Sequence, residues 1–151
     1  MTKVEFEING KKLTIKSKWV GERTGFPFDD KDTLEHNIFN ITISRKVDSK
    51  TVRRQFKFYD SYQNYLDGKR ELSKEDTLFA FRCIIEDALA GCDGFDEFCS
   101  DLGYSNDSIR AFKIYKACKK TAEKLKDLGI SEDDLYDIVD KLSKMGIEWN
   151  V

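Results

Sequence analysis

The sequence predicts an α+β fold: an N-terminal four-stranded antiparallel sheet packed against a C-terminal set of about four helices, in one domain over 1–151. Two observations carry that prediction. Through residue 59 apolar residues alternate with period two, and from residue 60 they recur at helical spacing. Strands first and helices afterwards is the pattern of a sheet covered on one face. A sheet of four short strands also needs such a cover, so the two parts are expected to share a core.

The first two strands form a hairpin. Val4, Phe6 and Ile8 alternate with charged residues, Asn9-Gly10 follows, and Leu13 and Ile15 resume the alternation. Asn-Gly suits the type I′ turn, whose two central residues need positive φ. A third strand fits 36–46, with Phe39, Ile41 and Ile43 on one face, and a fourth fits 52–59, with Val52, Phe56 and Phe58 inward. Asp48-Ser49-Lys50 supplies the turn between them. Between strands two and three, 21–35 reads as a loop of about 15 residues holding Gly25, Pro27 and Asp29-Asp30-Lys31-Asp32; loops of that length are usually functional or mobile.

In the second half, 61–67 is a short helix or turn closed by Gly68. Ser73-Lys74-Glu75-Asp76 opens the next helix with a capping-box-like pattern, and Gly91 stops it. A short helix over 95–102 ends at Gly103, with Asp93 as its expected cap. The longest helix, 105–128, carries Ile109, Phe112, Tyr115, Cys118, Ala122 and Leu125 on its apolar side. Ser131-Glu132-Asp133-Asp134 opens the last, whose stripe is Leu135, Ile138, Val139 and Leu142.

Composition excludes several classes. Apolar residues make up 40% of the chain and aromatics 13%, too much for a disordered protein. The longest apolar run, Leu78 to Phe81, is only four residues, far short of a membrane span. The first residues lack the basic start and apolar run of a signal peptide, so a cytoplasmic location is expected. The net charge of −2 hides an asymmetry: residues 1–75 hold 16 Lys/Arg against 12 Asp/Glu, and residues 76–151 hold 10 against 16. Such a layout bears on partners rather than on fold.

No metal or cofactor is expected. The cysteines at 83, 92, 99 and 118 have no C-x-x-C spacing, and only His36 could add an imidazole. Four free thiols are the natural reading. Asp29-Asp30-Lys31-Asp32 and Asp93-Gly94-Phe95-Asp96-Glu97 gather carboxylates without the ligand spacing of a calcium loop. No G-x-S-x-G, P-loop or G-x-G-x-x-G run is present. The protein is therefore expected to bind rather than catalyse.

Three charged regions are candidate partner contacts. Arg45, Lys46, Lys50, Arg53, Arg54 and Lys57 lie within 13 residues with only Asp48 opposing them. Beside Phe56, Phe58 and Tyr59 they could grip phosphates and stack bases; the plainer account solvates the cations and buries the aromatics. Asp29, Asp30 and Asp32 in the loop are the second region. Asp133, Asp137 and Asp140 give the last helix an acidic face suited to a cationic partner. A further stripe of Lys113, Lys116, Lys120 and Lys124 follows the wet side of the long helix.

The run Phe56-Lys57-Phe58-Tyr59-Asp60-Ser61, Gly68, the block Phe95-x-x-Phe98-Cys99-x-x-x-Gly103-Tyr104, and Asp107-Ser108 with Ala111 resemble a set of small proteins from phages and mobile elements of Gram-positive bacteria. The resemblance covers about residues 52–128 and brings no catalytic or binding residue with it. It implies an accessory protein acting in a bacterial host cell, in a class that includes anti-CRISPR proteins and other inhibitors of host defence. The expected function is therefore a non-enzymatic inhibitor that binds a bacterial defence protein such as a Cas nuclease. Nucleic-acid binding through the basic hairpin is the alternative, and no membrane partner is expected.

Overall fold

The computed structural model describes residues 1–149. Its elements are β1 (Thr2–Ile8), β2 (Lys11–Thr24), β3 (Glu35–Val47), β4 (Lys50–Tyr59), α1 (Tyr62–Leu66), α2 (Lys74–Gly91), α3 (Phe95–Leu102), α4 (Ile109–Asp127) and α5 (Glu132–Lys144). The four strands pair antiparallel in the order β1-β2-β3-β4, and the α+β class stands. The chain divides into two compact units, Met1–Phe81 and Arg82–Val151, so the division falls inside α2, well beyond the change of periodicity near residue 60.

In the first unit the β1–β2 turn is the one the sequence predicts, with Asn9 at φ 50° and Gly10 at φ 77°. The β3–β4 turn uses the same left-handed conformation at Asp48 (φ 50°) and Ser49 (φ 67°), which glycine or asparagine would adopt more cheaply. β2 is longer than its alternation suggests. The register shifts between Trp19 and Gly21, a bulge that lets the strand continue to Thr24. Since β3 starts at Glu35, the connection shrinks from the expected 21–35 to 25–34.

One sheet face is apolar: Phe6, Leu13, Ile15, Phe39, Ile41, Ile43 and Phe56 are all buried. The start of α2 lies on it. Phe81 meets Phe6 edge-on at 5.3 Å, Phe79 meets Phe58 at 6.4 Å, and the buried hydroxyls of Ser17 and Thr77 bond at 2.9 Å. Ser73 caps this helix by accepting the Asp76 N–H.

In the second unit Phe98, Cys99, Ala111, Tyr115 and Cys118 form a buried cluster. Gly91 packs so closely on α4 that a Cβ there would come within 2.2 Å of the Cys118 carbonyl oxygen. Arg82 donates to Ser143 Oγ and to the Ile147 carbonyl, both at 2.8 Å. α5 has a full capping box between Ser131 and Asp134.

Two expectations for the helices need correction. The N-cap of α3 is Gly94, with no side-chain cap, so Asp93 does not cap it. Ile109 and Phe112 are exposed, because α4 begins at Ile109 and its buried stripe runs through Ala111, Tyr115, Cys118 and Leu125. At about 100° per residue, Ile109 stands roughly a third of a turn from Tyr115.

Candidate functional site

Strand alternation sorts the basic residues. Register aligns Thr14 with Ser44 and Ser44 with Arg53, Lys16 with Thr42 and Thr42 with Gln55, and Lys18 with Asn40 and Asn40 with Lys57. These residues share the sheet face opposite the apolar one. That outer face carries Lys12, Lys16 and Lys18 on β2, Lys46 on β3, and Arg53 and Lys57 on β4. Between them stand Thr14, Asn40, Thr42, Ser44, Thr51 and Gln55, so no acid occupies the outer positions of 12–18, 40–46 and 51–57. Lys12, Lys18, Lys46, Arg53 and Lys57 are exposed, and Lys16 is half-buried. Lys57 Nζ donates to Asn40 Oδ1 at 2.6 Å.

The acids of this face stand on β1. Glu5 pairs with Lys3 at 3.5 Å and accepts the Thr14 hydroxyl at 2.9 Å, and Glu7 lies opposite Lys12. At the end of the face nearest the two hairpin turns is a depression of about 420 Å³, its lining including Lys11, Lys12, Arg45, Lys46, Ser44 and Thr51.

The expected basic hairpin is thus split. Lys46, Arg53 and Lys57 reach the outer face, whereas Arg45 and Arg54 fall on the same side as Ile43 and Phe56 and are half-buried. Phe56 and Phe58 point to the apolar face, as the plainer account of the hairpin has it. Tyr59 alone of the three aromatics takes the outer side, opposite Ile38, with the Arg23 guanidinium 5.6 Å from its ring centre. Lys12, Lys16 and Lys18 were absent from the sequence-based candidates. Their signal is the alternation Lys12-x-Thr14-x-Lys16-x-Lys18 on β2.

The far end of the same face is closed by loop 25–34. His36, in register with this face, is 2% exposed and lies 3.9 Å from the Phe26 ring centre. Its Nδ1 sits 2.7 Å from the Asp60 carbonyl oxygen and its Nε2 2.7 Å from Asp32 Oδ2. Both ring nitrogens thus face an oxygen of the fold. Asp32 also accepts the N–H groups of Leu34 and Phe26, both at 3.0 Å. The Leu34 N–H above all, with His36 and Phe26 adding to it, holds the Asp32 carboxyl below the usual carboxylate range against the opposing effect of desolvation. Asp29 accepts the Lys31 N–H. Of the three loop carboxylates only Asp30 is exposed; Asp29 and Asp32 are half-buried and spent on the loop itself. The large apolar side chains that the loop exposes are Phe26, Phe28 and Leu34.

In the second unit Asp133, Asp137 and Asp140 are exposed on α5 around Tyr136, and Asp140 pairs with Lys144 at 2.9 Å. Lys113, Lys116 and Lys120 are exposed on α4, and Lys124 is half-buried. Carboxylate oxygens of Asp93, Glu97 and Asp101 lie within 4.8 Å of one another along α3, brought together by helical spacing. All four cysteines are free. Burial, with Asp87 nearby, pushes the Cys83 and Cys118 thiols up to about 12, and burial also raises Cys92 and Cys99. Each is a thiol rather than a thiolate at neutral pH.

Comparison with protein-family models, with curated proteins and with solved structures returns no match. No helix among the described residues is long and apolar enough to cross a membrane.

Proposed function

We propose that the protein binds nucleic acid, using the outer face of β2, β3 and β4 to hold the phosphate backbone. The observation that carries this reading is the gathering of six cations on three adjacent strands, interleaved with hydroxyl and amide side chains and with no acid among them. Phosphates reward such a surface through counterion release, and hydroxyl and amide donors fix their position. With Phe56 and Phe58 turned away, the face has little to read bases with, so binding is independent of sequence. The His36 ring, occupied at both nitrogens, and the protonated thiols favour binding over catalysis.

The test is a titration of single-stranded DNA and RNA at several salt concentrations. Six phosphate contacts predict a slope of log K against log salt near −4 on a single strand. Absence of binding at low salt overturns the proposal.

A second reading keeps the protein as a phage or mobile-element inhibitor of a bacterial defence nuclease, acting in the cytoplasm by protein contact. It is favoured by the exposed Phe26, Phe28 and Leu34 on a loop whose backbone is fastened by Asp32, since exposed apolar groups on a fixed frame suit a protein partner. Co-elution with a nuclease and loss of its cleavage test this reading. Relief of no defence system on expression in cells counts against it.

A further inference from the structure

Charge is not spread evenly along the outer face. At the end beside the Asn9-Gly10 and Asp48-Ser49 turns, Lys11, Lys12, Arg45 and Lys46 line one depression of about 420 Å³ together with Ser44 and Thr51. Thr14 belongs to the same lining, but its hydroxyl is committed to Glu5, and Glu5 is itself paired with Lys3. An internal phosphodiester brings one negative charge to such a place. A phosphomonoester brings roughly −2 at neutral pH and three acceptor oxygens. Of these cations Lys12 and Lys46 stand on the outer face, and two cations with the Ser44 and Thr51 hydroxyls match the second group better than the first.

Resting on the nucleic-acid reading above, we infer that this depression seats the terminal phosphomonoester of a nucleic-acid strand, from which the chain runs over Lys16, Lys18, Arg53 and Lys57. The continuity of the two parts supports a strand end over a free nucleotide. Thr14 and Ser44, which line the depression, are in register with each other, and Ser44 is in register with Arg53 on the open face. The next outer positions along β2 and β4 bring Lys16 and then Lys18 with Lys57. A nucleoside monophosphate would fill the depression and leave that row of cations unused.

The experiment is a competition at low salt between unlabelled single strands of about 12 nucleotides carrying a 5′-phosphate, a 3′-phosphate, or hydroxyls at both ends. One phosphorylated form is expected to compete about 10-fold better than the hydroxyl-ended strand, the scale of one added charge-assisted contact. Lys12→Ala with Lys46→Ala should erase that preference. Lys18→Ala with Lys57→Ala should weaken all three strands together and leave the ratio intact. Equal competition by all three strands overturns the terminal-phosphate site while the backbone-binding face stands. If adenosine monophosphate competes as well as the phosphorylated strand, the site belongs to a free nucleotide and the inference fails. No binding by any strand overturns both readings.

Discussion

The two ends of the sheet's outer face carry opposite charges and use them in opposite ways. At the turn end Lys12 and Lys46 are exposed on regular strands whose backbone groups already bond to each other. At the other end Asp29 and Asp32 turn inward, because loop 25–34 has N–H groups that no strand satisfies. Charge density in the sequence is similar in both places. What differs is the local demand of the backbone: strands leave charged side chains free for a partner, and a tight loop consumes its carboxylates as hydrogen-bond acceptors.

That contrast can be broken most directly at His36. Replacing His36 with Ala strips Asp32 of its buried partner and the Asp60 carbonyl of its donor, and should lower unfolding stability by roughly 2–3 kcal/mol in urea titration. Nucleic-acid affinity of the folded protein should not change. The reverse pattern is expected for Lys16→Ala with Lys57→Ala. Stability should move by less than about 0.5 kcal/mol, while the salt slope of binding becomes shallower by about 1.4 for two lost contacts on a single strand. A large stability loss in that variant would mean the lysines are structural after all.

A pH series sharpens the loop side of the comparison. The Asp32 carboxyl is held below its ordinary value of 3.8, so its contribution is fully present above that value. It is lost as pH falls through the still lower value of the folded state. The urea midpoints of the parent and of Asp32→Asn should therefore differ at neutral pH and converge in acid below that range. The smallest effect concerns the turn at the open end. Asp48 and Ser49 both hold positive φ, and replacing the pair with Asn-Gly should raise stability by about 0.5–1 kcal/mol without altering binding.

The sheet was legible where strand alternation meets an unambiguous turn, as at Asn9-Gly10. It was less so at the far end of β2, because the extra residue at Val20 breaks the period that would have shown the strand continuing to Thr24. The candidate site was half legible for a related reason. A cluster within 13 residues of sequence spreads over both faces of a strand, so Arg45 and Arg54 left the surface that Lys46, Arg53 and Lys57 form. Their true neighbours come from β2, which only pairing brings alongside. The loop carboxylates looked available because nothing in Asp-Asp-Lys-Asp names the N–H groups waiting for them. On α5 the acidic start and its cap were plain, since a capping box is local in sequence. On α3 Gly94 took the capping position and left Asp93 with Glu97 and Asp101.

β4 is bonded to β3 alone and ends the sheet. An edge strand of ten residues with Val52, Phe56 and Phe58 on one side is a template on which other chains could stack. Arg53, Arg54 and Lys57 set like charges along that edge, so a second copy approaching it would be repelled. Whatever partner neutralises Arg53 and Lys57 also removes this guard, and must itself cover the strand it uncovers. Colloidal behaviour and ligand binding are thus tied to the same side chains, and variants stripped of charge for binding studies should be watched for aggregation.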